Sequence, residues 1–150
     1  MRVDFINDEE FSIFLNSCYC KIDDYNDKDE IVGVVKKVIS KYKNKFRLRG
    51  FYKVKVFPLD RVGLFVEGVK LESLEMSGII DLRVIVYFDE EFYFKTDNYY
   101  VINNISNIKY FNGSYYCLVK DILDINSFVD YGEFVHGEDV LTIIDKSYTI

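Results

Sequence analysis

The chain has 150 residues, 49% of them apolar and 29% charged, with a formal net charge of −6 and a pI near 4.8. That length and apolar content suit a single folded domain with its own core, and they exclude an intrinsically disordered chain. Apolar runs such as Val84 to Phe88 fall far short of the roughly 20 residues a membrane-spanning helix needs.

The N-terminus, Met1-Arg2-Val3-Asp4, meets acid at once and shows no apolar stretch before a small-residue cleavage site, so no secretory leader is expected. Cys18, Cys20 and Cys117 are odd in number, and the Cys18-x-Cys20 gap is too short for a zinc knuckle or redox pair. Free or structural thiols in a reducing cytoplasm are therefore expected. Thirteen Tyr and thirteen Phe accompany a complete lack of Ala, Gln and Trp. An AT-rich coding sequence tends to produce that bias, so most of these rings are read as core rather than as ligand platforms.

Residues Arg2 to Ile6 read as a strand. Next, Asn7 can cap a helix carrying Phe11, Phe14, Leu15 and Cys18 on one face. Alternatively, Phe11, Ile13 and Leu15 alternate along a strand reached by a hairpin through Asn7-Asp8. The clearest element follows. Asn26 or Asp27 caps a helix with Asp29 and Glu30 at its start and Lys41, Lys43 and Lys45 at its end, both charges suiting the macrodipole. Its apolar stripe is Ile31, Val34, Val35, Val38, Ile39 and Tyr42.

Phe51 to Phe57 and Val62 to Val69 read as an antiparallel hairpin turning at Pro58-Leu59-Asp60-Arg61, with Tyr52, Val54 and Val56 alternating with Lys53 and Lys55. The polar stretch 70–78 is the best candidate joint between two differently patterned halves. Ile79 to Phe88 and Phe92 to Thr96 read as a further hairpin around Asp89-Glu90-Glu91. The segment 97–106 suits a short helix capped by Thr96 or a strand through Val101 and Ile102. Asn112-Gly113, between Ile108–Phe111 and Tyr115–Val119, is the strongest short hairpin signal in the chain. From Asp121 onward, including Asp121-Ile122-Leu123-Asp124-Ile125, the apolar tail is expected to dock. The expected fold is α+β: an antiparallel sheet built of hairpins, one main amphipathic helix and a short C-terminal helical segment.

Catalytic signatures are sparse. His136 is the single histidine, with Glu133, Glu138 and Asp139 near it in sequence, and no second imidazole exists to complete a zinc site. Ser114 lies in Asn112-Gly113-Ser114, without a nucleophile elbow, and no phosphate-cradling glycine motif occurs. Carboxylate pairs at Asp23-Asp24, Asp89 to Glu91 and Glu138-Asp139 read as turn acids. No metal or cofactor is expected.

Charge segregation is the informative feature. Ten of the nineteen Lys and Arg lie between residues 36 and 61 against one acid, Asp60, while the segments on either side are acidic. Lys41, Lys45, Arg47, Arg49, Lys53 and Lys55 are the candidate contacts to an acidic protein partner. Phe51 and Tyr52 nearby open a nucleic-acid alternative, against which the overall acidity weighs.

Three stretches carry a family resemblance. Met1-Arg2-Val3-Asp4-Phe5-Ile6-Asn7, with Phe11 to Asn16 and Ile22-Asp23-Asp24, resembles the opening hairpin and acidic turn of the MecA-type adaptor proteins. Lys109-Tyr110-Phe111-Asn112-Gly113-Ser114-Tyr115-Tyr116-Cys117-Leu118 resembles that family's aromatic hairpin. Glu133-Phe134-Val135-His136-Gly137, running into Leu141-Thr142-Ile143-Ile144, resembles its closing motif. The resemblance implies an adaptor that carries substrates to a Clp-family unfoldase. The chain departs from that pattern in lacking the long acidic linker and full C-terminal helices, and Tyr25-Asn26 stands where an Arg-Gly-Phe turn is expected. No partner-binding residue carries over.

The resulting expectation is a non-catalytic protein–protein interaction module acting in the cytoplasm, without membrane attachment. The alternatives are a small acidic inhibitor or immunity-type protein, an enzyme using carboxylates and His136, and a nucleic-acid binder acting through residues 36–61.

Overall fold

Asp27 starts the principal helix, α1 (Lys28–Tyr42), by accepting hydrogen bonds from the backbone N–H groups of Asp29 and Glu30 at 3.1 and 3.2 Å. The Glu30 carboxylate accepts in turn from the N–H groups of Asp23 and Asp24 at 3.3 and 2.9 Å, so the acidic turn is pinned to the helix start. The computed structural model describes the whole chain except residues 8, 46, 73–79 and 123–128. It is α+β, and it divides into two compact units, Met1–Phe88 and Asp89–Ile150.

The first unit is a five-stranded sheet in the order β1-β2-β4-β3-β5, from β1 (Arg2–Phe5), β2 (Glu10–Asn16), β3 (Gly50–Leu59), β4 (Gly63–Glu72) and β5 (Ile80–Val86). The ambiguous opening is thus a hairpin, with Phe5 opposite Phe11 and Arg2 opposite Phe14; residue 8 of its turn lies outside the described residues. Alternation was hard to read because β2 is buried on both faces. Phe11, Ile13 and Leu15 face α1, while Phe14 lies in register with Phe65, and Phe65 with Phe57, across the opposite face.

The core lies between α1 and one sheet face. Ile31, Val35 and Ile39 pack on Phe11, Ile13, Leu15, Tyr52, Val54, Val56, Leu64 and Val66, all of them buried. Gly68 is required by this packing. A Cβ there would lie 2.2 Å from two atoms of the Phe11 ring, which crosses β4 at that point and meets Tyr52 edge-on at 5.6 Å.

Two expectations about this unit are corrected. Ile79 to Phe88 does not form a hairpin with Phe92 to Thr96. Instead β5 runs parallel to β3, from Gly50 opposite Ile80 to Val56 opposite Val86. Leu82, Val84 and Val86 thereby extend the core beside Tyr52, Val54 and Val56, and burial of that apolar set outweighs the turn signal of three consecutive acids. Pro58 is not in the turn but in β3, opposite Leu64 and beyond the last β3–β5 pair, where its missing N–H deletes no bond to β5. The turn itself is closed by Val62 N–H donating to Leu59 O at 2.9 Å. Most of the candidate joint at 70–78 lies outside the described residues.

The second unit is an antiparallel sheet in the order β10-β7-β8-β6-β9: β6 (Tyr93–Thr96), β7 (Lys109–Phe111), β8 (Ser114–Leu118), β9 (Glu133–Val135) and β10 (Tyr148–Thr149). Asn112 and Gly113 join β7 to β8 with φ values of 48° and 83°, as the sequence signal requires. The ambiguous 97–106 segment forms a short helix, α2 (Tyr99–Ile102). Its cap is Asn98, which accepts from Tyr100 N–H at 3.0 Å, whereas the Thr96 hydroxyl donates to Tyr131 O. The closing helix α3 (Glu138–Lys146) packs Val140 against Tyr93 and Tyr116. The tail docks through β10 on β7 and through Ile150 N–H donating to Ile108 O. Residues 123–125 of the apolar run after Asp121 lie outside the described residues.

Val35 is fully buried in the α1 stripe. Val35→Asp places a carboxylate in that apolar core at a cost of more than about 3 kcal/mol and abolishes cooperative thermal unfolding. An unchanged melting curve would show that the stripe faces solvent. Gly68→Ala forces the Phe11 ring aside and destabilises the fold by about 1–3 kcal/mol in chemical denaturation.

Candidate binding groove

Two backbone segments of the first unit face one another across a cavity of about 530 Å³ lined by Phe5, Asn7, Glu9, Glu10, Phe11, Lys45, Arg47, Leu48 and Tyr52. One wall is the β1–β2 connection. Asn7 Oδ1 accepts from Glu9 N–H at 2.8 Å, Ile6 N–H donates to Glu10 O at 3.0 Å, and Lys70 N–H donates to Glu9 O at 2.8 Å. Those bonds hold Glu9 and Glu10 to the sheet. The other wall is the segment that leaves α1, where Arg47 N–H donates to Asn44 O at 3.3 Å and Leu48 N–H to Lys43 O at 2.9 Å. Arg47 takes a left-handed backbone with φ of 55°, a conformation that costs a bulky residue free energy.

Phe11, Leu48 and Tyr52 are buried and supply an apolar lining, while Phe5 is half exposed at 53%. Lys45 and Arg47 are exposed on one wall and Glu9 on the other, with Glu10 half-buried beside it. Phe5 is thus the apolar lining residue with substantial exposed surface, beside exposed Lys45, Arg47 and Glu9.

The candidate basic residues do not form one face. Lys45 and Arg47 reach the groove, and Arg49 is exposed between buried Leu48 and Gly50. Lys41 and Lys45 hold their ammonium groups 5.4 and 5.9 Å from the centre of the Tyr42 ring. The Tyr19 hydroxyl donates to that of Tyr42 at 2.5 Å, which pushes the Tyr19 phenol up to about 12 and draws Tyr42 below its usual range. Lys53 and Lys55 project from the opposite sheet face, because Tyr52, Val54 and Val56 on either side of them must meet α1. There Lys55 lies in register with Glu67, its ammonium 5.9 Å from the Tyr87 ring centre.

In the second unit, His136 Nδ1 lies 3.2 Å from a Glu90 carboxylate oxygen and its ring stacks on Phe92 at 4.4 Å. Sequence proximity did not point to Glu90. The Ser114 hydroxyl donates to Asp97 at 2.7 Å, which ties the start of β8 to the end of β6. Among the described residues, no group of three or more His, Cys, Asp or Glu side chains is arranged to hold a metal ion, and no helix is long and apolar enough to cross a membrane. Cys20 and Cys117 are buried free thiols, whereas Cys18 is exposed. No family model, curated protein or solved structure matches this chain.

Burial pushes the Cys117 thiol from its ordinary value of 9.0 up to about 12, with Asp121 adding to the shift. The folded state therefore holds this proton more tightly than the unfolded chain does. Its contribution is intact below about pH 9 and is lost as pH rises towards 12. Native protein should present one fast thiol to Ellman's reagent, Cys18, and two more only on unfolding. Cys117→Ala should flatten the decline in melting temperature above pH 9, and an unaltered slope would assign that decline to other groups.

Proposed function

We propose that this chain is a non-catalytic protein-binding module that takes its partner in the groove of the first unit. The carrying observation is the lining itself: the exposed Phe5 ring beside exposed Lys45, Arg47 and Glu9 suits a protein segment, which offers apolar and charged groups at once. Nucleic acid fits less well. Glu9 shares the cavity with Lys45 and Arg47, and Lys53 and Lys55 project from the opposite sheet face, so phosphates meet no continuous basic track.

Within that class, the resemblance of the opening hairpin, the Asn112-Gly113 hairpin and the closing segment supports a MecA-type adaptor acting with a Clp-family unfoldase in the cytoplasm. Three free thiols suit that compartment. A second reading has its own observation: residues 89–150 hold eleven acids against four basic residues, a balance suited to masking a basic partner as inhibitors and immunity-type proteins do.

The adaptor reading is tested by adding the purified chain to a purified Clp-family unfoldase and measuring ATP hydrolysis. A saturable rise that Arg47→Glu reduces and His136→Ala leaves unchanged supports it. No change in hydrolysis and no co-elution on gel filtration would sink the adaptor reading and leave the inhibitor reading in front.

A further inference from the structure

The second unit sets tyrosines in a row across its sheet. Tyr148 on β10 lies opposite Tyr110 on β7, and Tyr110 lies opposite Tyr115 on β8. Directly paired residues of neighbouring strands share a sheet face. These three rings therefore stand on the face opposite to the one where Tyr116 and Phe111 join Val140 of α3. Tyr99 of α2 extends the row. Its ring centre is 5.3 Å from that of Tyr115, and Tyr110 meets Tyr115 at 5.1 Å. Core rings are covered, and these are not: Tyr148 is 71% exposed and Tyr99 37%, while Tyr110 and Tyr115 are half-buried.

Shape, spacing and charge select an occupant for this row. The interplanar angles are 51° and 50°, so successive rings form ridges and notches rather than a flat shelf on which planar bases stack. Neighbouring strands lie about 4.8 Å apart, which puts the Tyr148 and Tyr115 positions about 9.6 Å apart along the row. A polyproline II segment advances about 9.3 Å per three-residue turn, and its solvated carbonyls accept from donors such as phenol hydroxyls. The charge of the unit picks the flanks. Residues 89–150 hold eleven acids against four basic residues, a balance of −7 that repels phosphates and attracts cations. We propose that this face binds a proline-rich segment of a partner protein, with prolines at i and i+3 on the Tyr148 and Tyr115 positions and Lys or Arg beside them. The site belongs to the second unit, so the groove reading stands or falls separately.

A row that served the sheet alone makes a different prediction. Cross-strand rings stabilise a sheet, but Tyr148 sits mostly exposed on a two-residue edge strand, so the fold depends little on its ring. The test is fluorescence anisotropy of the full chain with labelled synthetic ligands at about 150 mM salt. One peptide carries prolines at every third position and Arg at both ends. A second replaces the prolines with Gly, and a third replaces the Arg with Glu; a glucose oligosaccharide and a short single-stranded DNA complete the set. The first peptide should bind about tenfold tighter than any other ligand. Tyr148→Ala should weaken it about tenfold with the melting temperature nearly unchanged, and Tyr115→Phe, which keeps the ring and removes the donor, should weaken it less. Equal affinity for the Pro and Gly peptides, preference for the Glu-flanked peptide, the sugar or the DNA, or undiminished binding by Tyr148→Ala overturns the proposal. Binding lost together with a large fall in melting temperature, while Tyr115→Phe binds normally, marks a purely structural row and overturns it as well.

Discussion

Burying Ile31, Val35 and Ile39 against Tyr52, Val54 and Val56 commits β3 to one orientation, and much of the first unit follows from that choice. A strand has two faces and one parity. Once this alternating apolar set meets α1, Lys53 and Lys55 must face away from it, β4 must present Leu64, Val66 and Gly68 to the same core, and β2 must present Phe11, Ile13 and Leu15. Gly68 is where this order is tightest. The Phe11 ring occupies the space of a missing side chain, and that crossing brings Phe11 beside Tyr52 in the groove lining.

The same parity explains what sequence reading could and could not reach. The α1 stripe, the long β3–β4 hairpin and the Asn112-Gly113 turn were legible because each depends on local periodicity or on a local backbone requirement. β5 was misread because a parallel pairing with β3 is decided by a shared core, and the acids at 89–91 look like a turn whether or not two strands flank them. The opening hairpin was ambiguous for a physical reason: Phe11, Ile13, Phe14 and Leu15 are all buried, so the apolar pattern follows neither a helical nor a strict strand period.

The groove was half legible. Lys45 and Arg47 stood out as part of a basic run, and the prominence of the run was the misleading part. The alternation that identified β3 already required Lys53 and Lys55 to leave the helix side of the sheet, so one run in sequence could not become one face in space. The hairpin, one of the two readings that the sequence left open, sets Glu9 at the approach to β2, where it lines the cavity with Lys45 and Arg47.

Exposed charges around the cavity are screened by water and salt, so Lys45, Arg47 and Glu9 contribute little to folding. The shape of the cavity rests instead on backbone hydrogen bonds. Those from Lys70 to Glu9 and from Ile6 to Glu10 fix one wall, and those from Leu48 to Lys43 and from Arg47 to Asn44 fix the other. Arg47 holds a left-handed backbone within that second wall, so the turn that leaves α1 is set by backbone pairing at the expense of local strain.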